Sequence, residues 1–252
     1  MPLDYDLTHY LLGLAAALLV GLSKTGIPGV AIPAIVLMTE AFAGNEKLSV
    51  GALLPVLLVG DLFAVGFYRR HAEWKRLAGL FPYVVAGMLP GVVVLLLVAD
   101  RHFKLVLGWI VLALLALEAG RQRFGWTGMP GRWWFVAAAG LLAGFGTTVG
   151  NAAGPVMSVY LIGRGLPKER FMGTWAWFFL IVNLAKVPIF LSLRMITPGT
   201  LGFDLVLLPM VVVGALVGRR IFLIVPQKLF NALVLILAAA AALRMVGVLS
   251  WP

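Results

Sequence analysis

The chain has 252 residues, of which 62% are hydrophobic and 12% charged, and its formal net charge is +10. This composition excludes an ordinary soluble domain, because apolar stretches long enough to cross a bilayer recur along the whole length. The basic residues lie mainly in the connections at the ends of these stretches, as membrane topology requires, so we expect a lipid bilayer and no nucleic acid as partner. With no cysteine and three histidines, the chain lacks the side chains for a disulfide or a thiolate metal site, and we expect no metal and no other cofactor.

Six blocks approach the roughly 20 apolar residues that a transmembrane helix needs. They lie near residues 48–68, 77–98, 103–119, 171–193, 205–223 and 228–247. The polar connections are short, so no separate soluble domain is expected. The predicted fold class is an all-α polytopic membrane protein.

Two more apolar stretches are broken by glycine, proline and polar residues. The first break, GLSKTGIPGVAIP at residues 21–33, separates segments 7–21 and 29–43. The second, GFGTTVGNAAGPV at residues 144–156, separates segments 133–146 and 153–164. Each of these segments spans only about 20 Å as a helix, less than the hydrocarbon core of about 30 Å.

Each broken pair forms either a single interrupted helix that crosses the membrane or a hairpin that returns to the side it entered. Hairpins place every strongly basic connection in the cytoplasm, in agreement with the positive-inside rule, and we therefore prefer them. This topology puts the amino terminus outside the cytoplasmic membrane.

The two halves of the chain are similar. A shift of 125 residues pairs Gly21 with Gly146, and a shift of 127 aligns PYVVAGMLPG at 82–91 with PMVVVGALVG at 209–218. We predict two repeats of inverted topology, each a broken short-helix hairpin followed by three transmembrane helices. They comprise residues 1–124 and 129–252.

Small-residue faces within the later spans suggest a contact surface. They contain Gly87, Gly91, Gly214 and Gly218. Such faces allow either sliding between the repeats or contact in a homodimer.

Irregular backbone at membrane depth must line a cavity or be buried in protein, because lipid cannot satisfy free amides. The helix that starts after each break offers free amides and the positive end of its dipole, an arrangement that binds anions. We predict a donor-rich anion site near the bilayer midplane. Its candidate residues are Ser23, Lys24, Thr25, Gly26, Gly29, Thr147, Thr148, Gly150, Asn151, Gly154, Asn183 and Lys186. Close packing of small residues is the alternative explanation of the breaks, and Lys24 either binds the anion or extends to water.

Asp61 and Lys186 lie inside long spans and coincide in the repeat. Charges within the membrane are costly and mark functional positions. Lys186, with Asn183, is expected to add positive potential to the site. Asp61 either pairs with a lysine or carries a coupling proton, and a structural pair between Asp61 and Lys186 is the alternative. Trp175 is expected in an interfacial belt.

These motifs resemble the TauE/SafE family of sulfite exporters and related transporters. The resemblance is carried by GLSKTGIPGVAIPAIVL, GFGTTVGNAAGPVMSVYL and LPKERFMGTWAWFFLIVNLAKVPIF, and it covers essentially the whole chain. It implies movement of sulfite, sulfonates or other small organosulfur and carboxylate anions across the cytoplasmic membrane without ATP, and no enzymatic activity.

Two other functions compete with anion transport. A cation or metal transporter is disfavoured, because the breaks carry lysine and hydroxyl groups instead of acidic, histidine or cysteine ligands. A scaffold or assembly factor that transports nothing would not need a donor-rich pocket. An inside-negative potential drives anions outward, so we expect export.

Overall fold

The computed structural model describes residues 6–97, apart from 27, 29, 43 and 44, and residues 132–224, apart from 165, with a few single positions elsewhere. All the regular structure within these residues is helical. The α-helices in this part of the chain are α1 (Leu7–Thr25), α2 (Ala31–Ala41), α3 (Glu46–Tyr68), α4 (Trp74–Leu97), α5 (Trp133–Gly150), α6 (Gly154–Gly163), α7 (Lys168–Ser192) and α8 (Pro198–Ile224). A short 3-10 helix, Arg69–His71, connects α3 to α4.

Six of the described helices are long and apolar enough to cross a membrane, judged by length and composition. This confirms the predicted all-α membrane fold. Four of them, α3, α4, α7 and α8, correspond to predicted spans, and the other two, α1 and α5, begin the predicted hairpins. The predicted spans at 103–119 and 228–247 lie outside the described residues.

The first helix of each hairpin is longer than predicted. α1 has 19 residues and α5 has 18, which corresponds to about 28 Å and about 27 Å. Both helices continue into the polar stretch, where threonine hydroxyls bond to their own helix: Thr25 Oγ1 donates to the Gly21 carbonyl at 3.1 Å and Thr148 Oγ1 to the Gly144 carbonyl at 2.8 Å. The prediction that these helices end near residues 21 and 146 is therefore wrong.

Ring contacts show that each broken pair turns back on itself. Tyr10, near the start of α1, and Phe42, just after α2, both pack on Phe203, with ring centroids 5.0 and 5.4 Å away. In the second half Phe135, near the start of α5, stacks on Tyr160 of α6 at 6.4 Å. The second helix of each pair thus ends close to where the first began, as the preferred hairpin interpretation requires.

Each hairpin packs against the other half of the chain. α1 runs parallel to α8, and a methyl group added at Gly21 would lie 2.2 Å from the Val211 carbonyl oxygen, so the two backbones touch. α5 runs parallel to α4 in the same manner, and a methyl group at Gly87 would lie 2.1 Å from the Leu141 carbonyl oxygen. We call these two contacts the α1–α8 seam and the α4–α5 seam. The packing is thus reciprocal between the two halves, whereas the inverted topology of the repeats and their division at residues 1–124 and 129–252 stay predictions.

The four glycines of the predicted contact surface lie in these two seams. Gly87 and Gly91 face α5, and Gly214 and Gly218 face α1. All four are buried within a single chain. The idea that they form a homodimer contact is therefore wrong, and sliding along the seams stays a prediction.

The basic connections gather at one end of the molecule. Arg170 Nη1 lies 2.9 Å from Glu73 Oε1, and Arg76 Nη1 donates to the Arg164 carbonyl at 3.0 Å. Lys168 donates to the Phe222 carbonyl at the same end. These contacts join the end of α8 and the starts of α4 and α7, so the basic connections within the described residues lie at one end of the molecule, and the predicted one near residues 121–126 lies outside them apart from a single position.

Candidate substrate-binding site

One face of α7 carries a row of large and polar side chains into the interior. Trp175, Phe179, Asn183 and Lys186 are spaced by four, four and three positions, so they lie on the same side of the helix. Their exposed fractions are 2%, 5%, 1% and 0%. α7 packs against α3 of the first half.

The middle of the row, Phe179 and Asn183, contacts Lys24 of the first break and its partner Asp61. Lys24 Nζ lies 2.7 Å from Asp61 Oδ1 and 4.1 Å from the centre of the Phe179 ring. Asn183 Nδ2 donates to Asp61 Oδ2 at 2.6 Å. The contact between Lys24 and Asp61 is an ion pair and not a well-aligned hydrogen bond. Lys24 is 3% exposed and therefore does not extend to water, and the lysine that pairs with Asp61 is Lys24 and not Lys186.

The end of the row meets the second break. Lys186 Nζ donates to the Thr147 carbonyl at 3.2 Å, to Thr147 Oγ1 at 3.1 Å and to Asn151 Oδ1 at 2.5 Å. Three acceptors match the three N–H groups of a lysine ammonium. Asn151 Nδ2 donates to the Val50 carbonyl of α3 at 3.1 Å, so its amide connects the second break to the first half of the chain.

Backbone geometry explains where each first helix ends. Asn151 adopts a left-handed conformation with φ 55°, which asparagine tolerates better than most residues and which commonly terminates helices. Its amide and that of Ala152 donate to carbonyls of the last turn of α5 at 3.0 and 2.9 Å, and the amide of Gly26 donates to the Leu22 carbonyl at 2.9 Å. The prediction that these amides are free to bind an anion is therefore wrong for these three residues.

The other predicted site residues hold the helices together or line the breaks. Thr25 Oγ1 donates to the Ala215 carbonyl of α8 at 2.6 Å, and Thr148 lies against Gly91 of α4, so both threonines belong to the seams. Ser23 and Gly150 are buried at the ends of α1 and α5. Gly29 lies outside the described residues.

Trp175 belongs to the buried row on α7, which the sequence did not indicate. It was expected at the membrane interface, but it is buried, and its Nε1 has no hydrogen-bond partner among the described residues. A methyl group added at Gly154, the first residue of α6, would lie 3.7 Å from Trp175 Cη2. The indole therefore packs beside the start of α6. Its spacing of four and eight residues from Phe179 and Asn183 is the signal that would have placed Trp175 on the same buried face of α7.

The cluster contains one lysine, Lys186, that forms no ion pair within the described part of the chain. Lys24 and Asp61 compensate each other, whereas the hydrogen-bond partners of Lys186 described above are all neutral. Trp175 Nε1 provides a further unsatisfied donor. The charged form of a lysine buried at 0% exposure is costly unless a counterion joins it, so an anion bound beside Lys186 would stabilise its ammonium form.

Comparison with known families gives one match. The family model described as Sulfite exporter TauE/SafE matches residues 10–245. No curated protein and no solved structure matches the chain significantly.

Proposed function

Because the chain belongs to the TauE/SafE family of sulfite exporters, and is thus a membrane transporter of small anions and not an enzyme, we propose that its substrate is sulfite or a related organosulfonate. The proposed binding site lies between the two hairpins, beside the α7 row. Lys186 supplies the charge, and Trp175 and the start of α6 supply donors and shape. Lys24 joins the site when Asp61 releases it.

The observation that carries this proposal is the buried amino group of Lys186, whose described hydrogen-bond partners include no acidic side chain. Its three neutral acceptors stabilise the ammonium but do not neutralise it. A monovalent or divalent oxyanion with several acceptor oxygens supplies the missing negative charge and accepts from donors such as Trp175 Nε1.

Export needs no chemical energy source under this proposal. An inside-negative potential favours the exit of each negative charge by about 2.3 kcal/mol per 100 mV. We infer that the end of the molecule rich in arginine and lysine is cytoplasmic, which places the amino terminus outside the cytoplasmic membrane. The basic end then attracts anions from the cytoplasm.

Transport also needs a closed state, and the buried cluster supports the view that this structure is one. Lys24, Asp61, Asn183 and Lys186 are all at most 3% exposed. Opening on either side then requires movement of a hairpin relative to α7, and the two seams are the surfaces along which we expect it.

The test is stabilisation of the purified full-length protein by a panel of anions: sulfite, methanesulfonate, isethionate, sulfate, thiosulfate, acetate and chloride. A ligand that binds the folded state at 100 times its Kd raises stability by about 2.7 kcal/mol. We expect selective stabilisation by sulfite or a sulfonate. Lys186→Met should abolish it, and Trp175→Phe, which keeps a ring and removes the N–H donor, should weaken it. Lys75→Met, at an exposed position near the basic end, serves as the matched control.

The same variants in liposomes test transport. Loaded vesicles with an inside-negative potassium diffusion potential should release sulfite, and Lys186→Met vesicles should not. Stabilisation by chloride and acetate as strong as that by sulfite would contradict the proposed selectivity. Unchanged sulfite binding in folded Lys186→Met would contradict the proposed site.

A further inference from the structure

Asp204 is a buried acidic residue that the proposed site does not use. It lies in α8, six residues after Pro198, and is 2% exposed. Neither of its carboxyl oxygens has a hydrogen-bond partner among the described residues. Thr200, one turn earlier, is also buried, but its hydroxyl is bonded to the Thr197 backbone at 2.9 and 3.0 Å.

The substrate cluster does not compensate Asp204. Thr25, next to Lys24, contacts Ala215 of α8, and Ala215 lies eleven residues beyond Asp204, or about 16 Å along the helix. Lys24 is already paired with Asp61. The cluster and Asp204 therefore occupy different levels of the molecule.

Other titratable groups lie on the elements around α8. α8 packs against α1 and α3, and the turn before it carries Arg194. The groups to consider are His9, Tyr10 and Lys24 on α1, Lys47, Asp61 and Tyr68 on α3, Arg194 before α8, and Arg219 and Arg220 near its end. None of these forms an ion pair or hydrogen bond with Asp204 in the described part of the chain.

A buried carboxylate without a partner is too costly to persist, and such a group takes up a proton instead. A protonated carboxyl group fits the apolar surroundings, because its neighbours in α8, Phe203 and Leu207, belong to the hydrophobic core. Ionisation would require water or a cation to reach it, and therefore separation of the helices that cover it.

We propose that Asp204 is a proton-binding site that controls the α1–α8 seam: its carboxyl group is protonated while the seam is closed, and its ionisation opens the seam. The seam lies between Asp204 and the Lys24 end of α1, since Gly21 and Gly214 bring the two backbones into contact there. Proton release at Asp204 thereby loosens the packing of the helix that carries Lys24. This inference is independent of which anion is transported.

The first experiment detects the proton directly. Full-length protein labelled with ¹³C at the aspartate carboxyl carbon is examined by infrared spectroscopy at neutral pH. We expect a carboxylic acid carbonyl band with the isotope shift of aspartate, present in Asp61→Asn and absent in Asp204→Asn. Asparagine is close in size to the protonated acid, so Asp204→Asn should fold. Absence of the band in the wild-type chain overturns the proposal even if that variant does not fold.

The second experiment measures opening of the seam. The chain contains no cysteine, so Ala17→Cys, on the α1 face between Gly13 and Gly21 and 0% exposed, reports seam opening through its rate of thiol labelling. Gly202→Cys, at an exposed position with no neighbouring atom within 4 Å, corrects for the titration of the thiol itself.

The expected result is a rise in the labelling ratio with pH, by about tenfold per pH unit in the sensitive range, which is the slope for one proton. Adding Asp204→Asn should keep the ratio low and independent of pH. A ratio that rises equally with and without Asp204→Asn, or that does not rise at all, overturns the control of the seam by Asp204.

Discussion

Removing one member of the Lys24–Asp61 pair should cost far more stability than removing both. The two charged atoms lie 2.7 Å apart and the residues are 3% and 0% exposed, so water does not replace a lost partner. Breaking a buried pair by deleting one partner costs about 3–5 kcal/mol, because the other group is left buried without its counterion. We therefore expect Asp61→Asn and Lys24→Met each to lose stability of this size.

The double variant is the informative one. With both members of this pair replaced, neither is left buried without its partner, and replacement of a buried pair by neutral groups is commonly neutral or stabilising by about 1–4 kcal/mol. Asparagine at position 61 still offers an oxygen to Asn183 Nδ2, which now donates to Asp61 Oδ2 at 2.6 Å. The stability of the double variant should thus return close to that of the wild type.

The assay is reversible unfolding of the four proteins in mixed micelles, analysed as a double-mutant cycle. Lys75→Met, at an exposed position, should change stability by no more than about 0.5 kcal/mol. If the losses of the two single variants simply add in the double variant, the pair is not a coupled buried ion pair and the electrostatic description of the cluster is wrong.

Two further predictions concern packing and pH. Gly87→Ala should destabilise the protein by about 1–3 kcal/mol, because the added methyl group would lie 2.1 Å from the Leu141 carbonyl oxygen. Gly79→Ala on the same helix, where a methyl group would have no atom within 4 Å, should not destabilise it. Thermal unfolding distinguishes the two variants, and equal effects would refute the close contact at the α4–α5 seam. At the start of α1 the amide of His9 donates to Asp6 Oδ1 at 3.0 Å and lowers the pKa of that carboxyl. The ionised cap should stabilise the first turn at pH values above the ordinary pKa of aspartate. This stabilisation should be lost as the pH falls through the lowered pKa of Asp6. Amide exchange of the first turn should follow this course in the wild type and lose it in Asp6→Asn.

The sequence was sufficient to locate the breaks, because glycine, proline and asparagine stand out within long apolar segments and indicate irregular backbone there. It also indicated Lys186 and Asp61, because charges stand out in such segments. The partner of Asp61 was not predictable, since it depends on how α1, α3 and α7 are rotated against one another. Nor was the burial of Trp175, because tryptophan is common both at membrane interfaces and in cores, and only the neighbouring helices decide between them.

The amide of Asn151 combines two properties that no charged side chain offers. Its oxygen accepts from Lys186 and its nitrogen donates to the Val50 carbonyl, so it fixes the second break to the first half without changing the net charge of the cluster. An aspartate at this position would hold Lys186 equally well but would neutralise it. Under the proposed function, such a carboxylate would occupy the place of the substrate anion beside Lys186 and would act as a permanent inhibitor.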